Sequence, residues 1–290
     1  MRNLSLLEIA DQIDKSLGDY YTKPETVEWR TMDSILGQAC SNLSSRHLRH
    51  LIPQVILVDS YYGTNLIKYL DKPDNKLDFR FGYYKLIAQG LQELKLDEQI
   101  KDIQGKARRL CASNLEDVAK LCNDVSDVVK KCTNRTGIVF ASKLLHFNAS
   151  DLFPIIDNNS ENKLKDVLTQ LDDDANKRIH ELRANIEKEL LKESMLDLWY
   201  ENYPNDFEKH YEKDISGSKL LRILEEEYPD CYREYYRELL GSKPPDRYAR
   251  FAMDILCLQQ AICLAGRPMY SLGELDRYLY GSRFWQEEAD

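Results

Sequence analysis

In the stretch 137–160, GIVFASKLLHFNASDLFPIIDNNS, a basic side chain, an apolar wall and a carboxylate stand close together as nowhere else in the chain. Ser142 and Lys143 ride on a short apolar segment. A break follows at 148–151, and then Phe153, Pro154, Ile155 and Ile156 deliver Asp157 onto Asn158, Asn159 and Ser160. Among the apolar neighbours Phe140, Leu144 and Leu145, a lysine becomes a nucleophile if burial or a neighbour lowers its pKa. A phosphate contact or a solvated place on the helix is the plainer use of Lys143. Asp157 has two uses as well: a carboxylate for chemistry, or an N-cap for the next helix, which Asn158, Asn159 and Ser160 could also provide.

The formal net charge is -9, yet no acidic residue falls between Val128 and Ser150, where Lys130, Lys131, Arg135 and Lys143 are basic. Phosphate contacts need a local positive patch and not a positive sum. Basic residues beside a turn are also ordinary solvated surface. His47 and His50 have no third ligand nearby, and the chain has no H-E-x-x-H, so neither a metal nor any other cofactor is expected. The seven cysteines include no C-x-x-C pair and read as small buried hydrophobes in a reducing cytosol. The N-terminal MRNLSLLEIADQID lacks a signal-peptide core, and no apolar run reaches the ~18 residues of a membrane span, so a cytoplasmic location without a membrane partner is expected. The 18 tyrosines, more than phenylalanine and tryptophan together, suit half-wet helix faces and groove walls.

Stepping along the chain, apolar residues recur at three- and four-residue intervals. Ser5 caps a helix with Leu6, Ala10, Ile13 and Leu17 inward, expected to close at Gly18. Pro24 starts a second, carrying Trp29 and Leu36. A third, basic piece ends or kinks at Pro53, and a helix is expected over 55–70 with Gly63 inside it. Gly63 there permits a tight helix crossing, or a groove wall edged by Tyr61, Tyr62, Thr64 and Asn65. Further helices are expected over 79–94, from Asn114 to Cys132, over 160–171, over 172–198, from 216 to 227, from Pro229 to Gly241, over 246–265, and from the capping box of Ser271 and Glu274. Lys243, Pro244 and Pro245 form the clearest linker. No strand pattern competes, so the fold class is all-α. The expected organisation is a core region over 1–171 and a C-terminal region over 172–290 that packs back on it, as one body or as two lobes around a groove.

The segment FASKLLHFNASDLFPIID resembles the F-A-S-K-x-L-H-F-x-x-P-x-x-F-P-I-x-D-S signature of a prokaryotic helical family related to 8-oxoguanine DNA glycosylases, distant members of the helix-hairpin-helix superfamily. Tyr61-Tyr62-Gly63-Thr64-Asn65 resembles that family's Y-x-T-N helix. Gly273 to Tyr280 resembles its R-x-x-D-x-x-L-W helix, with Gly273 in place of the Arg and Tyr280 in place of the Trp. The resemblance implies a DNA-binding base-excision protein, acting in repair or phage defence. Asp157 would stabilise the sugar cation as the base departs, and Lys143 would be the Schiff-base nucleophile of a bifunctional enzyme. It implies DNA contacts at Lys130, Lys131, Arg135, Gly137 and Asn158. An extruded base would be walled by Tyr61, Tyr62, Asn65, His146 and Phe147. The L-P-G-V-G hairpin is absent, and Thr136-Gly137 offers a single Gly. The alternative is a non-catalytic interaction or regulatory subunit on the same scaffold, meeting a protein partner through the tyrosine-rich helices around Trp199 and Tyr228.

Overall fold

A computed structural model of the chain describes residues 3–41, 47–61, 64, 66, 76–190, 192–205, 207, 215, 217–229 and 247–285. Among them are thirteen α-helices and no strand, so the all-α expectation holds. The helices are α1 (Leu6–Thr22), α2 (Val27–Ser41), α3 (Leu48–Tyr61), α4 (Lys76–Glu93), α5 (Leu96–Lys106), α6 (Leu115–Thr133), α7 (Ile138–Asn148), α8 (Asn158–Thr169), α9 (Asp173–Leu190), α10 (Lys192–Asn202), α11 (Gly217–Glu227), α12 (Arg247–Leu264) and α13 (Leu272–Trp285).

Burial of apolar faces decides the arrangement. The inward stripe of α6 (Val118, Cys122, Val125, Val129) meets α4, α7 and α12. Helix α12 is buried along most of its length and packs on α6 and α9. One apolar cluster runs from Leu6 through Leu171 and Ile179 to Leu279. A separate small cluster gathers Met195, Trp199, Ile215, Leu220 and Leu224 from α10, α11 and the connection between them. Helix α13 lies across α1 and α8. Tyr270 donates to Ala10 O at 3.2 Å and to Asp14 at 2.7 Å, and Tyr278 donates to Gln12 at 3.0 Å, which fixes α13 against α1.

Several boundaries differ from those expected. Helix α1 continues past Gly18 to Thr22, and Tyr20 on the added turn donates to Asp33 at 2.7 Å. Pro53 lies inside α3 and does not end it. Of the helix expected over 55–70, α3 covers the part to Tyr61; Thr64 and Leu66 are not helical, and Asp59, buried on α3, takes the Leu66 amide at 3.0 Å and the Thr64 hydroxyl. Asn114 stands at the N-cap of α6 but caps nothing there; its side chain holds Cys111 N at 2.9 Å and Arg109 O at 2.9 Å. The capping box of Ser271 and Glu274 forms, with Ser271 N to Glu274 at 2.7 Å and Glu274 N to Ser271 at 3.2 Å. Tyr62, Gly63 and Asn65, the helix expected from Pro229 and the 243–245 linker lie outside the described residues.

Helices α6 and α7 form a hairpin joined by Asn134, Arg135, Thr136 and Gly137. Asn134 turns the chain in the left-handed region, with φ 55°. Gly137 is needed for space: a Cβ there would stand 2.5 Å from Val129 Cβ and 2.6 Å from its Cγ1. Branching at Val129 leaves that side chain little room to turn away. Gly137→Ala is therefore expected to lower stability by about 1–3 kcal/mol, read as a lower urea midpoint at unchanged slope.

Candidate functional site

Helix α7 is apolar almost all round, so Phe140, Ala141, Ser142, Lys143, Leu144, Leu145 and His146 are all buried. A helix sunk in this way carries its polar residues into the interior, where each needs a partner. Ser142 takes the Ile156 amide at 3.2 Å and donates to Val139 O at 3.0 Å. His146 Nδ1 meets Phe153 O at 2.8 Å. From α12, Tyr248 donates to Pro154 O at 3.0 Å. These bonds pin the Phe153–Ile156 segment (FPII) and set the place of Asp157.

Asp157 does two things at once. Its Oδ1 accepts the amides of Asn159 at 3.0 Å and Ser160 at 2.9 Å, while its own N–H donates to Ser160 Oγ at 2.9 Å. That is a reciprocal cap on α8. Its Oδ2 stands 3.4 Å from Lys143 Nζ. Lys143 is 3 % exposed and Asp157 8 %, so the pair is sealed and Asp157 does not lie bare on a groove floor. The Tyr280 ring lies over the ammonium, 5.8 Å from Nζ to centroid. Tyr280 in turn meets Trp29 edge-on, and Trp29 meets Tyr61.

A second carboxyl completes the cluster. Asp276, on α13, has an enclosed Oδ1 without a hydrogen-bond partner. Enclosure and then the nearby Asp157 charge raise its pKa from 3.8 to about 7, against the pull of Lys143. Asp276 also lines a pocket of about 200 Å³ with Asp33, Gly37, His146, Phe147, Ser150, Ile155, Gly273 and Arg277. Burial holds the His146 pKa below its ordinary value, so the ring is neutral. A carbonyl can only accept; Nδ1 therefore carries the proton and Nε2 is an acceptor. Arg277 lies over the Tyr20 and Tyr21 rings at 5.0 and 5.8 Å, and its Nε is enclosed without a partner.

His146 and Phe147, expected as base-pocket walls, line this pocket, whereas Tyr61 does not and meets Trp29 instead. Lys130, Lys131 and Arg135 are exposed at the end of α6 and in the hairpin turn; Arg135 and Thr136 edge another shallow pocket, with Thr64 and Leu66. Gly137 is buried, and its amide donates to Ser126 Oγ at 3.1 Å, so it is not turned outward towards a phosphate. Asn158 takes Arg247 at 3.2 Å, beside the Arg247–Glu161 ion pair. The residues that sequence reading passed over are Asp276, Arg277 and Asp33. Asp276 was visible only as the Asp of a terminal helix, with nothing in its spacing to tie it to Asp157. Among the described residues no helix is long and apolar enough to cross a membrane. Set against protein-family models, curated proteins and solved structures, the chain matches none.

Two stability measurements probe the cluster. Lys143→Met removes the cation that pairs with Asp157 and acts on Asp276, and is expected to cost about 3–5 kcal/mol above neutral pH and less in acid, where Asp276 is protonated. The Asp276 pKa is higher in the folded chain than in the unfolded one, so between 3.8 and about 7 the folded state holds the extra proton. Stability from this group is full below that window, falls as the pH rises through it and levels off above. Asp276→Asn removes the slope, so in thermal melts the variant is expected to match the parent in acid and exceed it above neutral pH.

Proposed function

We propose that this chain is a base-excision protein of the DNA glycosylase type, cleaving the N-glycosidic bond of an extruded base without a covalent link to the sugar. The carrying observation is the fixed carboxylate: Asp157 has one oxygen on helix amides and the other 3.4 Å from Lys143, and the segment that leads into it contributes Ile155 to a pocket also lined by His146 and Phe147. Glycosidic cleavage builds positive charge on the sugar, and a carboxylate already ionised and oriented stabilises that charge without reorganising. The chain order supports the reading: a hairpin of α6 and α7, then the Asp, as in the superfamily that the sequence resembles. The exposed Lys130, Lys131 and Arg135 on the hairpin supply positive charge for phosphates. Lys143 is the counter-ion that orients Asp157. An amine engaged by a carboxylate and covered by the Tyr280 ring is not free to attack the sugar. The enclosure of the pair means that α13, whose Tyr280 covers Lys143, must shift as the sugar enters.

The same enclosure favours a second reading, a non-catalytic interaction subunit in which Lys143, Asp157 and Asp276 act as a structural staple; the acids Asp33 and Asp276 at the pocket add to it. Purified protein is incubated with duplex oligonucleotides, each carrying one oxidised, deaminated, alkylated or mismatched base. Base excision predicts abasic sites, binding that weakens steeply with salt, no borohydride-trapped adduct, and loss of base release in Asp157→Asn, which retains the cap acceptor and is assayed at a temperature where circular dichroism shows it folded. Intact strands throughout, together with a stably co-purifying protein that Asp157→Asn still holds, would establish the interaction reading instead.

A further inference from the structure

We infer that Asp276 is the proton donor of this centre, the residue that protonates the departing base while Asp157 faces the sugar. The inference rests on the base-excision reading and adds a catalytic residue to it.

The distribution of partners selects Asp276 as the proton's holder. Asp157 accepts two amides on Oδ1 and has the Lys143 amine 3.4 Å from Oδ2, so both of its oxygens are engaged. Asp276 has no such support, since its Oδ1 is enclosed with no donor at all. An enclosed carboxyl without a donor is less costly neutral than charged. A carboxyl at Asp276 that keeps its proton adds no second negative charge near the Lys143–Asp157 ion pair. The groups that face Asp276 are Lys143 and Asp157 across the ion pair, Asp33 from α2, His146 from α7 along the pocket wall, and Arg277 on its own helix. His146 is neutral with Nε2 as an acceptor, so it does not compete as the acid. The pKa of Asp276, about 7, then suits an acid that must give up a proton and regain it near neutral pH.

Position agrees with the role. Asp276 lines the pocket with its Oδ1 enclosed and unpartnered, and the Asp157 charge is near enough to act on it. In the step, the bond from the sugar's anomeric carbon to the base nitrogen breaks and its electron pair leaves with the base. The Asp276 proton moves onto the base as this happens. Water then adds to the anomeric carbon, and the proton that it sheds returns to the Asp276 carboxylate. The products are the free base with one hydrogen and the sugar with one hydroxyl.

The test has one readout that needs no substrate and one that does. Infrared spectra about a pH unit below neutrality are expected to show the carbonyl stretch of a protonated carboxylic acid in the parent protein and to lose it in Asp276→Asn. On the same panel of single-lesion duplexes, the parent's rate of base release is expected to fall as pH rises through about 7. Asp276→Asn is expected to be slower by on the order of a hundredfold or more with that limb of the profile flat, and Asp276→Glu to restore part of the rate and the limb. Absence of the carbonyl band from the parent, or its survival in Asp276→Asn, overturns the inference. So does an Asn variant that keeps the parent's rate and pH profile, and in that case base excision itself stands. No base release by the parent on any duplex overturns the base-excision reading and the donor role with it, while the infrared band still reports separately whether Asp276 holds the proton.

Discussion

Lys143 and Asp157 meet 3.4 Å apart in the interior, and three helices are placed by that contact. The ammonium rises from α7, the carboxylate caps α8, and the Tyr280 ring of α13 lies against the ammonium from a third side. An isolated charge at such depth would be prohibitive, so each side chain requires the other and the surroundings must supply the remaining hydrogen bonds. Asp157 finds them in the amides at the head of α8. The order of the FPII segment follows from the same need. Ser142, His146 and Tyr248 each take one of its backbone groups, and a shift of that segment would carry Asp157 away from both of its partners.

Asp276 turns this from a pair into a cluster with one charge too many. Two carboxyls and one ammonium in a confined space hold a proton more readily than the same groups in water, and the group with the fewest donors is where it settles. A protein selected for stability alone would be better served by an amide or an apolar residue at that position. The presence of an acid whose charge the fold resists is what distinguishes this corner of the molecule from the ordinary ion pairs on its surface, such as Lys106 with Asp117.

Much of the fold was legible in the sequence because it follows from local rules. The stripes of α1, α6 and α12, and the reciprocal caps at Ser5 and Ser271, are set by residues within a turn or two of one another. Where a distant or buried partner intervened, the local rules failed. Pro53 reads as a break, yet α3 passes through it; Asp59 gives no sign in the sequence that it will take the Leu66 amide. In the site, the nearness of Lys143 and Asp157 in sequence was legible, but not that the two form a buried ion pair. Asp276 could not be tied to them, because its place depends on α13 crossing α8 and α1, which is a matter of tertiary packing. Whether Asp157 caps or serves chemistry was an open choice from sequence; the geometry gives it the cap with one oxygen and leaves the other to Lys143.

The docking of α13 on α1 has a consequence for the order in which the molecule is completed. Tyr270 and Tyr278 reach back to Ala10, Asp14 and Gln12, so the helix bearing Asp276 finds its seat on the first helix of the chain. Contacts between such distant stretches carry a large loop-closure entropy and form late. During synthesis the helices before α13 are made first, and until α13 docks Lys143 lacks the Tyr280 ring over it. The centre is thus closed by the last described helix to be made, and a partly translated chain has no means of holding the Asp276 proton in place.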